Sequence, residues 1–259
     1  MKTALITGAS SGIGYELSKV FAQNGINVIL VARNFKMMEE LKSDIERVSK
    51  VDVKIINQDL STPGAAQVIF DTLNNEAVKV DYLVNNAGFG DYGFFAQSNW
   101  EKNEQMINLN ILTLTHLTHL FLPLMIKQKY GRIINVASTA AFQPGPLMAV
   151  YYATKAFVLS FSEAIANELE GSGVTVTALC PGPTSSGFEK AAAVEDSKLF
   201  KGKKLPSSKE VASYGYKAMM NGKTVAIHGV LNNIFATSVR FTPRKVVTKI
   251  VRKLSETSK

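Results

Sequence analysis

Three residues in the middle of the chain have the types and spacing needed to reduce a carbonyl group. Tyr151 and Lys155 are four residues apart in a segment of helical periodicity, so their side chains share a helix face. An ammonium beside a phenol stabilises the phenolate and lowers a pKa that is normally about 10. Such a phenol can exchange a proton at neutral pH. Ser138, thirteen residues before the tyrosine, could hold the substrate oxygen beside it.

The tyrosine and lysine also have an ordinary explanation. A Tyr-x-x-x-Lys pair is common on solvated helix faces, where it has no catalytic role. The neighbouring Tyr152 shows how readily a tyrosine occurs here, and we expect it to point about 100° away around the helix. The function therefore depends on what the surrounding elements bring to the same place.

Short apolar strands alternate with helices along the whole chain. This alternation predicts one α/β domain over residues 1–259, a doubly wound parallel sheet (Rossmann fold) of about seven strands with helices on both faces. Ligands bind such sheets at the strand carboxyl ends, near the topological switch point. The predicted strands cover residues 3–7, 27–32, 51–57, 81–85, 132–137, 174–180 and 224–228. The predicted helices follow the first loop and cover residues 35–49, 61–75, 98–128 with a break, 151–170 and 209–220, and a last one begins at 242–243.

The first strand runs into a loop with three glycines and then into a helix. This arrangement directs the free N–H groups of a helix N-terminus at a phosphate. Gly8 would allow a tight turn, Gly12 a close approach of the backbone to a ligand, and Gly14 the contact between helix and strand. The spacing differs from the common G-x-G-x-x-G pattern, so an ordinary turn is the alternative. The predicted cofactor contacts here are Gly8, Ser10, Ser11, Gly12, Ile13 and Gly14.

Three further strand ends carry residues suited to the rest of a dinucleotide. After the second strand, where an acidic residue would hold the ribose of NAD, Arg33 could meet the 2′-phosphate of NADP. Asp59 could accept a hydrogen bond from an adenine amino group, although an aspartate at this place often serves only a turn. The small residues after the fourth strand could approach a flat ligand closely, or form an Asn/Gly turn. The predicted contacts are Arg33, Asn34, Asp59, Leu60, Asn86, Ala87 and Gly88.

Together these motifs resemble those of the short-chain dehydrogenase/reductase family over nearly the whole chain. Thr7-Gly8-x-x-x-Gly12-x-Gly14 is similar to the cofactor loop of that family, and Asn85-Asn86-Ala87-Gly88 to its motif after the fourth strand. The resemblance implies that Asn110, rather than Asn108, positions a water that relays protons. The implied catalytic residues are Asn110, Ser138, Tyr151 and Lys155.

The same resemblance implies contacts around the nicotinamide. Lys155 and Tyr151 would bind near its ribose, and Pro181-Gly182 would lie beside the ring. Thr184 or Ser186 would touch the carboxamide, with Thr184 preferred. The implied protein is an NADP(H)-dependent oxidoreductase that moves a hydride between nicotinamide and a carbonyl or secondary alcohol. A non-enzymatic NADP-binding regulator or scaffold on the same fold is the alternative, and the presence of both Tyr151 and Lys155 favours the enzyme.

Apolar residues near the predicted catalytic residues indicate a hydrophobic small-molecule substrate. They follow the fourth strand, separate Ser138 from Tyr151, or lie in an irregular segment over residues 181–207 that we expect to cover the cleft as a flap. The candidates for lining the substrate pocket are Asp91, Tyr92, Phe94, Phe95, Phe142, Leu147, Met148 and Phe188.

Composition and charge exclude several other classes. The net charge is +8, but residues 240–259 carry seven basic side chains and one acid, so the rest of the chain gives no reason to propose nucleic acid binding. Cys180 is the only cysteine, which excludes an internal disulfide and a cysteine metal cluster. The first strand begins at residue 3, which leaves no room for a signal peptide, and no run of 18 apolar residues predicts a membrane span. We expect a cytoplasmic protein.

Two helices suggest contacts with partners. His116 and His119 lie on the long helix without an evident third ligand, so no metal is expected, and in the resembled family this helix often forms a homodimer or homotetramer interface. The basic tail, residues 240–259, predicts an amphipathic helix with an apolar stripe between basic residues. We expect that helix to pack on the protein or on a partner subunit, and peripheral contact with an anionic membrane is the alternative.

Overall fold

All seven predicted strands are present, and they pair in parallel in the order β3-β2-β1-β4-β5-β6-β7. The computed structural model describes residues 1–192, 194, 197, 202 and 204–256. The chain order reverses at β1, where Ala4 pairs with Val28 of β2 on one side and with Tyr82 of β4 on the other. The strands are β1 (Thr3–Thr7), β2 (Asn27–Ala32), β3 (Val53–Asn57), β4 (Tyr82–Asn85), β5 (Gly131–Val136), β6 (Val174–Cys180) and β7 (Val225–Ile227).

Helices cover both faces of this sheet, because nearly every residue of the central strands is apolar and buried. The α-helices are α1 (Gly12–Gln23), α2 (Phe35–Val48), α3 (Ala65–Asn75), α4 (Trp100–Ile107), α5 (Leu114–Lys127), α6 (Ala149–Glu168), α7 (Phe188–Ala191), α8 (Ser208–Met220), α9 (Val230–Ser238) and α10 (Arg244–Ser255). Buried side chains of α1, α2 and α8 form the core on one face, and those of α3, α5 and α6 form the core on the other. The doubly wound Rossmann fold is thus confirmed.

The predicted break in the long helix is a π-helical turn. Residues Asn108–Thr113 form this turn between α4 and α5. The whole segment Trp100–Lys127 has the length and hydropathy to cross a membrane, although it contains no unbroken apolar run. In this fold Leu117 and Phe121 of α5 pack in the core against the sheet.

Some boundaries differ from the predictions. The helix expected from residue 61 begins at Ala65, because Ser61 donates its backbone N–H (2.9 Å) and hydroxyl (2.7 Å) to the Asp59 carboxylate instead of capping a helix. Helices α7 and α9 were not predicted. Part of the expected flap lies outside the described residues, but its two ends meet where Ser185 pairs with Ser207.

Substitution of Gly14 tests the contact that holds α1 against the first loop. A Cβ at Gly14 would lie 2.3 Å from the carbonyl oxygen of Gly8 and 2.4 Å from Nδ2 of Asn86. We expect Gly14→Ala to lower the free energy of unfolding by about 3 kcal/mol, since backbone must move to relieve the overlap. The matched control is Gly171→Ala, which has positive φ and open space, and should cost only about 1 kcal/mol. Equal losses in urea titration would contradict the packing argument.

Candidate active site

A cleft of about 640 Å³ runs along the carboxyl ends of the strands, across the point where the sheet order reverses. The Gly8 loop and Arg33 lie at one end, and Tyr151 and Phe188 at the other. Gly14 is the one predicted cofactor contact outside the lining. The predicted residues that line the cleft are Gly8, Ser10, Ser11, Gly12, Ile13, Arg33, Asn34, Asp59, Leu60, Asn86, Ala87, Gly88, Ser138, Tyr151, Lys155, Pro181, Gly182 and Thr184.

The loop between β1 and α1 is tied to the loop after β4. The Thr7 hydroxyl donates to the carbonyl of Val84 (3.1 Å) and accepts from the backbone N–H groups of Asn86 (2.9 Å) and Ala87 (3.0 Å). The Asn86 amide donates to the Thr7 carbonyl at 2.9 Å. Gly8 turns the chain with φ +67°, a region that favours glycine. These bonds hold the loop before α1 against the loop after β4, at the edge of the cleft.

Arg33 lies beside Asp59 at the exposed end of the cleft. Their closest nitrogen and oxygen are 3.7 Å apart, and the arginine side chain is 73% exposed. Partial burial alone would raise the pKa of Asp59, but hydrogen bonds from Ser61 and the nearby Arg33 charge hold it below its usual value. Asn34 accepts from the Met37 backbone N–H and so begins α2. Asp59 therefore has the turn role that the sequence left open, in addition to lining the cleft.

Lys155 is buried at the end of β5. Its Nζ donates to the carbonyl oxygen of Val136 at 2.7 Å, and the residue is 5% exposed. Burial lowers the pKa of Lys155 to about 8, because an ammonium is poorly solvated there. The lysine is therefore still largely protonated at neutral pH, and it can lose its proton slightly above it.

Tyr151 lies on the same side of α6, as the four-residue spacing predicts. Lys155 Nζ is 5.8 Å from the centre of the tyrosine ring. Burial raises the pKa of Tyr151 above its ordinary value, and the Ser138 hydroxyl opposes that rise. This direction is opposite to the lowered pKa expected from the sequence, because burial is the largest influence on the phenol. The phenol keeps its proton at neutral pH.

Ser138 begins the loop after β5 in extended backbone. Its hydroxyl accepts from the backbone N–H of Ala140 at 3.1 Å and donates to the Pro181 carbonyl at 3.4 Å. The serine is therefore fixed between the end of β5 and the segment after β6. Its side chain faces the cleft next to Tyr151.

Asn110 lies behind the cleft wall, within the π-helical turn. Its amide donates to the Phe89 carbonyl and to the Thr154 hydroxyl, both at 3.0 Å, and its oxygen accepts from the Phe89 N–H at 3.2 Å. A Cβ at Gly88 would lie 2.9 Å from Asn110 Oδ1 and 3.4 Å from Lys155 Nζ. Asn110 Oδ1 and Lys155 Nζ therefore both lie close to the Gly88 backbone. A π turn at such a place is typical of functional sites.

A chain of buried polar side chains that sequence reasoning missed supports the site. Asn85 donates to Thr118 at 3.0 Å and to Asn135 at 2.9 Å, and Asn135 donates to Ser162 at 2.9 Å. These bonds join β4 and β5 to α5 and α6. Asn135 interrupts an apolar strand, and that interruption was the available signal.

The substrate end of the cleft differs from the predicted lining. Met148 and Phe188 line it as expected, whereas Phe94 and Phe95 are exposed on the surface. Tyr152 also lines the cleft, although we expected it to point away. Phe89 and Gln143 were missed. Among the described residues, no group of three His, Cys, Asp or Glu side chains could hold a metal.

A dinucleotide-sized cleft that ends on a serine, a tyrosine and a buried lysine defines a nicotinamide-dependent oxidoreductase. Residues 2–196 match the family model described as short chain dehydrogenase, and the chain belongs to that family. It is 33% identical to a 7beta-hydroxysteroid dehydrogenase of Collinsella aerofaciens over 70% of this chain and 68% of that protein.

Solved structures agree with this assignment. A short-chain dehydrogenase from Sphingobium yanoikuyae in complex with NADPH is 30% identical with a TM-score of 0.83, covering 93% of this chain and 94% of that one. A bulky-bulky ketone specific alcohol dehydrogenase from Comamonas testosteroni is 29% identical with a TM-score of 0.79, covering 93% and 92%.

Replacing Lys155 should stabilise the fold. The pKa of this lysine falls from 10.5 to about 8 on folding, so the buried ammonium costs roughly 3 kcal/mol below pH 8. That cost disappears as the pH rises from about 8 to 10.5, because the folded lysine is then neutral and only the unfolded one still binds a proton. Losing the bond to Val136 offsets about 1 kcal/mol.

We therefore expect Lys155→Met to raise Tm by a few degrees at pH 7, with the gain shrinking toward pH 10. Calorimetry at several pH values measures this. The exposed Lys36→Met is the control and should leave Tm unchanged at every pH. If Lys155→Met instead had a lower Tm than wild type at pH 7, and the difference between the two Tm values did not change with pH, the buried-charge argument would be contradicted.

Proposed function

We propose that this dehydrogenase is an NADP(H)-dependent reductase or dehydrogenase for an apolar ketone or secondary alcohol. One observation carries the proposal: Ser138, Tyr151 and Lys155 line the same end of the cleft, and the Lys155 ammonium is held there by the Val136 carbonyl. That arrangement can hold a substrate oxygen and deliver a proton to it.

Glycines allow the loops that line the cleft to pack closely on one another. A Cβ at position 8, 12 or 88 would come within 2.9 Å of a neighbouring protein atom. The first turn of α1 presents N–H groups suited to the pyrophosphate. When bound, the nicotinamide would supply or accept the hydride. Lys155 would hold its ribose, and Pro181, Gly182 and Thr184 would lie beside its ring.

In the reducing direction, the Tyr151 hydroxyl gives its proton to the substrate oxygen as the carbonyl carbon gains a hydride. Ser138 donates a hydrogen bond to that oxygen and so stabilises the developing negative charge. Lys155, with its pKa near 8, stabilises the resulting phenolate and returns a proton to it. Asn110 holds a water that connects Lys155 to solvent.

The apolar end of the cleft favours a bulky hydrophobic substrate. Met148, Phe188 and Phe89 line it, and the Phe188 ring lies 5.1 Å from the Tyr151 ring. The similarity to a hydroxysteroid dehydrogenase and to a ketone-specific alcohol dehydrogenase supports the same class. A regulator without enzymatic activity would not need the buried lysine behind the tyrosine.

A second copy of the chain is proposed to cover the outer face of α5 and α6. Leu124 of α5 and Phe157 of α6 are exposed there, as is Leu112 of the π turn. Leu112 and Leu124 belong to the long helical segment with His116 and His119, which the resemblance connects with subunit contacts. A homodimer or homotetramer would bury them.

Tyr151→Phe tests the proton donor. We expect kcat for NADPH oxidation across a panel of hydrophobic ketones to fall at least 10³-fold, since no other group supplies the proton as well. The affinity for NADPH, measured by fluorescence titration, should change less than threefold. Tyr152→Phe is the matched control and should retain most of its kcat. Turnover that survives in Tyr151→Phe would refute the proposed donor.

Arg33→Ala tests the choice of cofactor. The Arg33 guanidinium lies 3.7 Å from Asp59 and can turn from it to a 2′-phosphate. We expect the Kd for NADPH to rise roughly 30-fold and that for NADH to change less than threefold, because a charge-assisted pair contributes about 2 kcal/mol. Asp59→Asn should tighten NADPH binding slightly. Equal losses for both cofactors in Arg33→Ala would contradict the assignment.

A further inference from the structure

The last two helices present an apolar surface that nothing in the described part of the chain covers. Helix α9 has Ala236 on its buried side. Its other apolar residues are directed outward, with exposed fractions of 77% for Val230, 68% for Leu231 and 64% for Phe235. Phe241, in the turn that follows, is 84% exposed. A surface of this kind marks an interaction site rather than an ordinary protein exterior.

Helix α10 carries three parallel stripes. Val247, Val251 and Ser255 are buried and hold the helix on the protein. Val246, Ile250 and Leu254 recur every fourth residue and are exposed. Lys245, Lys249 and Lys253 repeat with the same period, each directly preceding one of these apolar residues, and they are exposed as well.

The charged residues of the segment that carries these two helices are almost all basic. Between residues 221 and 256 there are seven lysines and arginines, and Glu256 is the only acid. Arg252 pairs with that acid at 3.2 Å and lies over the Phe94 ring, 4.9 Å from its centre. The exposed Phe94 therefore extends the apolar surface beyond α10.

We propose that this surface, the C-terminal patch, docks on an anionic lipid surface. The patch is formed by Val230, Leu231, Ile234, Phe235, Phe241, Val246, Ile250 and Leu254, with Arg240, Arg244, Lys245, Lys249 and Lys253. Apolar side chains beside lysines that pair with no acid among the described residues suit the boundary between acyl chains and acidic headgroups. A protein partner would need matching acids, and a second copy of this chain would oppose lysine to lysine.

The two helices that carry the patch pack, through their inner sides, against the walls of the active-site cleft. Val247 and Val251, on the inner side of α10, share a core cluster with Tyr151 and Tyr152. Asn232 of α9 packs on Gly182, where an added Cβ would lie 2.5 Å from the Asn232 side chain. Docking would therefore bring the substrate end of the cleft close to the lipid surface. An apolar substrate dissolved in that surface would have a short path to Tyr151.

Vesicle co-sedimentation tests the proposal on the full-length chain. Vesicles of phosphatidylcholine are compared with vesicles in which about one lipid in three is phosphatidylglycerol. The wild type should bind the anionic vesicles and be released by salt. Lys245→Glu/Lys249→Glu/Lys253→Glu should lower the partition coefficient at least about a hundredfold, since each basic residue near the surface contributes about fivefold and each glutamate adds repulsion. Ile234→Ser/Phe235→Ser should also lower the partition coefficient, and this loss should persist at every salt concentration because it removes apolar and not electrostatic attraction.

The matched control is Lys36→Glu/Lys50→Glu/Lys129→Glu, which changes the net charge equally at exposed lysines elsewhere. This control should bind as wild type, and all variants should keep the wild-type circular dichroism spectrum. Equal loss in both lysine triples would show that net charge alone drives binding and would overturn the proposal. So would absence of binding to anionic vesicles, or a patch variant that lowers the oligomeric mass in light scattering without changing vesicle binding.

Discussion

The active site depends on an ammonium held where water is largely excluded. Lys155 can be buried only because the Val136 carbonyl, at the end of a central strand, accepts its hydrogen bond. That carbonyl is available because β5 ends there and the chain turns at Ser138. The same turn brings the serine next to Tyr151, so one solvation requirement fixes the relative positions of all three groups. Hydrogen bonds from Asn85 to Asn135 and from Asn135 to Ser162 then fix β4, β5 and α6 relative to one another.

The two ends of the cleft differ in how strongly water screens their charges. Arg33 and Asp59 lie in solvent, where their attraction is weak and easily exchanged for a phosphate. Tyr151 and Lys155 lie in a medium that penalises charge, so small changes of contact shift their proton affinities strongly. In the proposed function, the end of the cleft that would hold the cofactor phosphate therefore tolerates change, whereas the end that would transfer the proton depends closely on its contacts.

Continuous apolar runs made the sheet predictable from the sequence, because strands buried on both faces admit little else. Ser138, Tyr151 and Lys155 were recognisable because their spacing matched a strand end and a helix face. Three features were not predictable. Ser61 bonds to the Asp59 carboxylate instead of capping a helix, and this depends on a turn geometry that cannot be read from the residue types alone. The degree of burial, which reverses the expected pKa shift of Tyr151, is a property of the packed protein. Helix α9 was missed although Val230, Leu231, Ile234 and Phe235 recur at helical spacing; only the structure shows that this stripe faces outward.

The π turn at Asn108–Thr113 has a consequence for how the length of this segment can vary. Relative to an α-helix, it accommodates a surplus residue. Deleting one residue there would leave a uniform α-helix from Trp100 to Lys127 in which α4 and α5 keep their orientations, because the π turn takes up the surplus residue within one turn. Leu117 and Phe121 would stay in the core, but the residues of the turn itself would shift, and Asn110 would lose its hydrogen bonds to Phe89 and Thr154. The surplus residue therefore sets the position of Asn110 and not the packing of α5 on the sheet, so the segment can be shortened by one residue only by displacing that side chain.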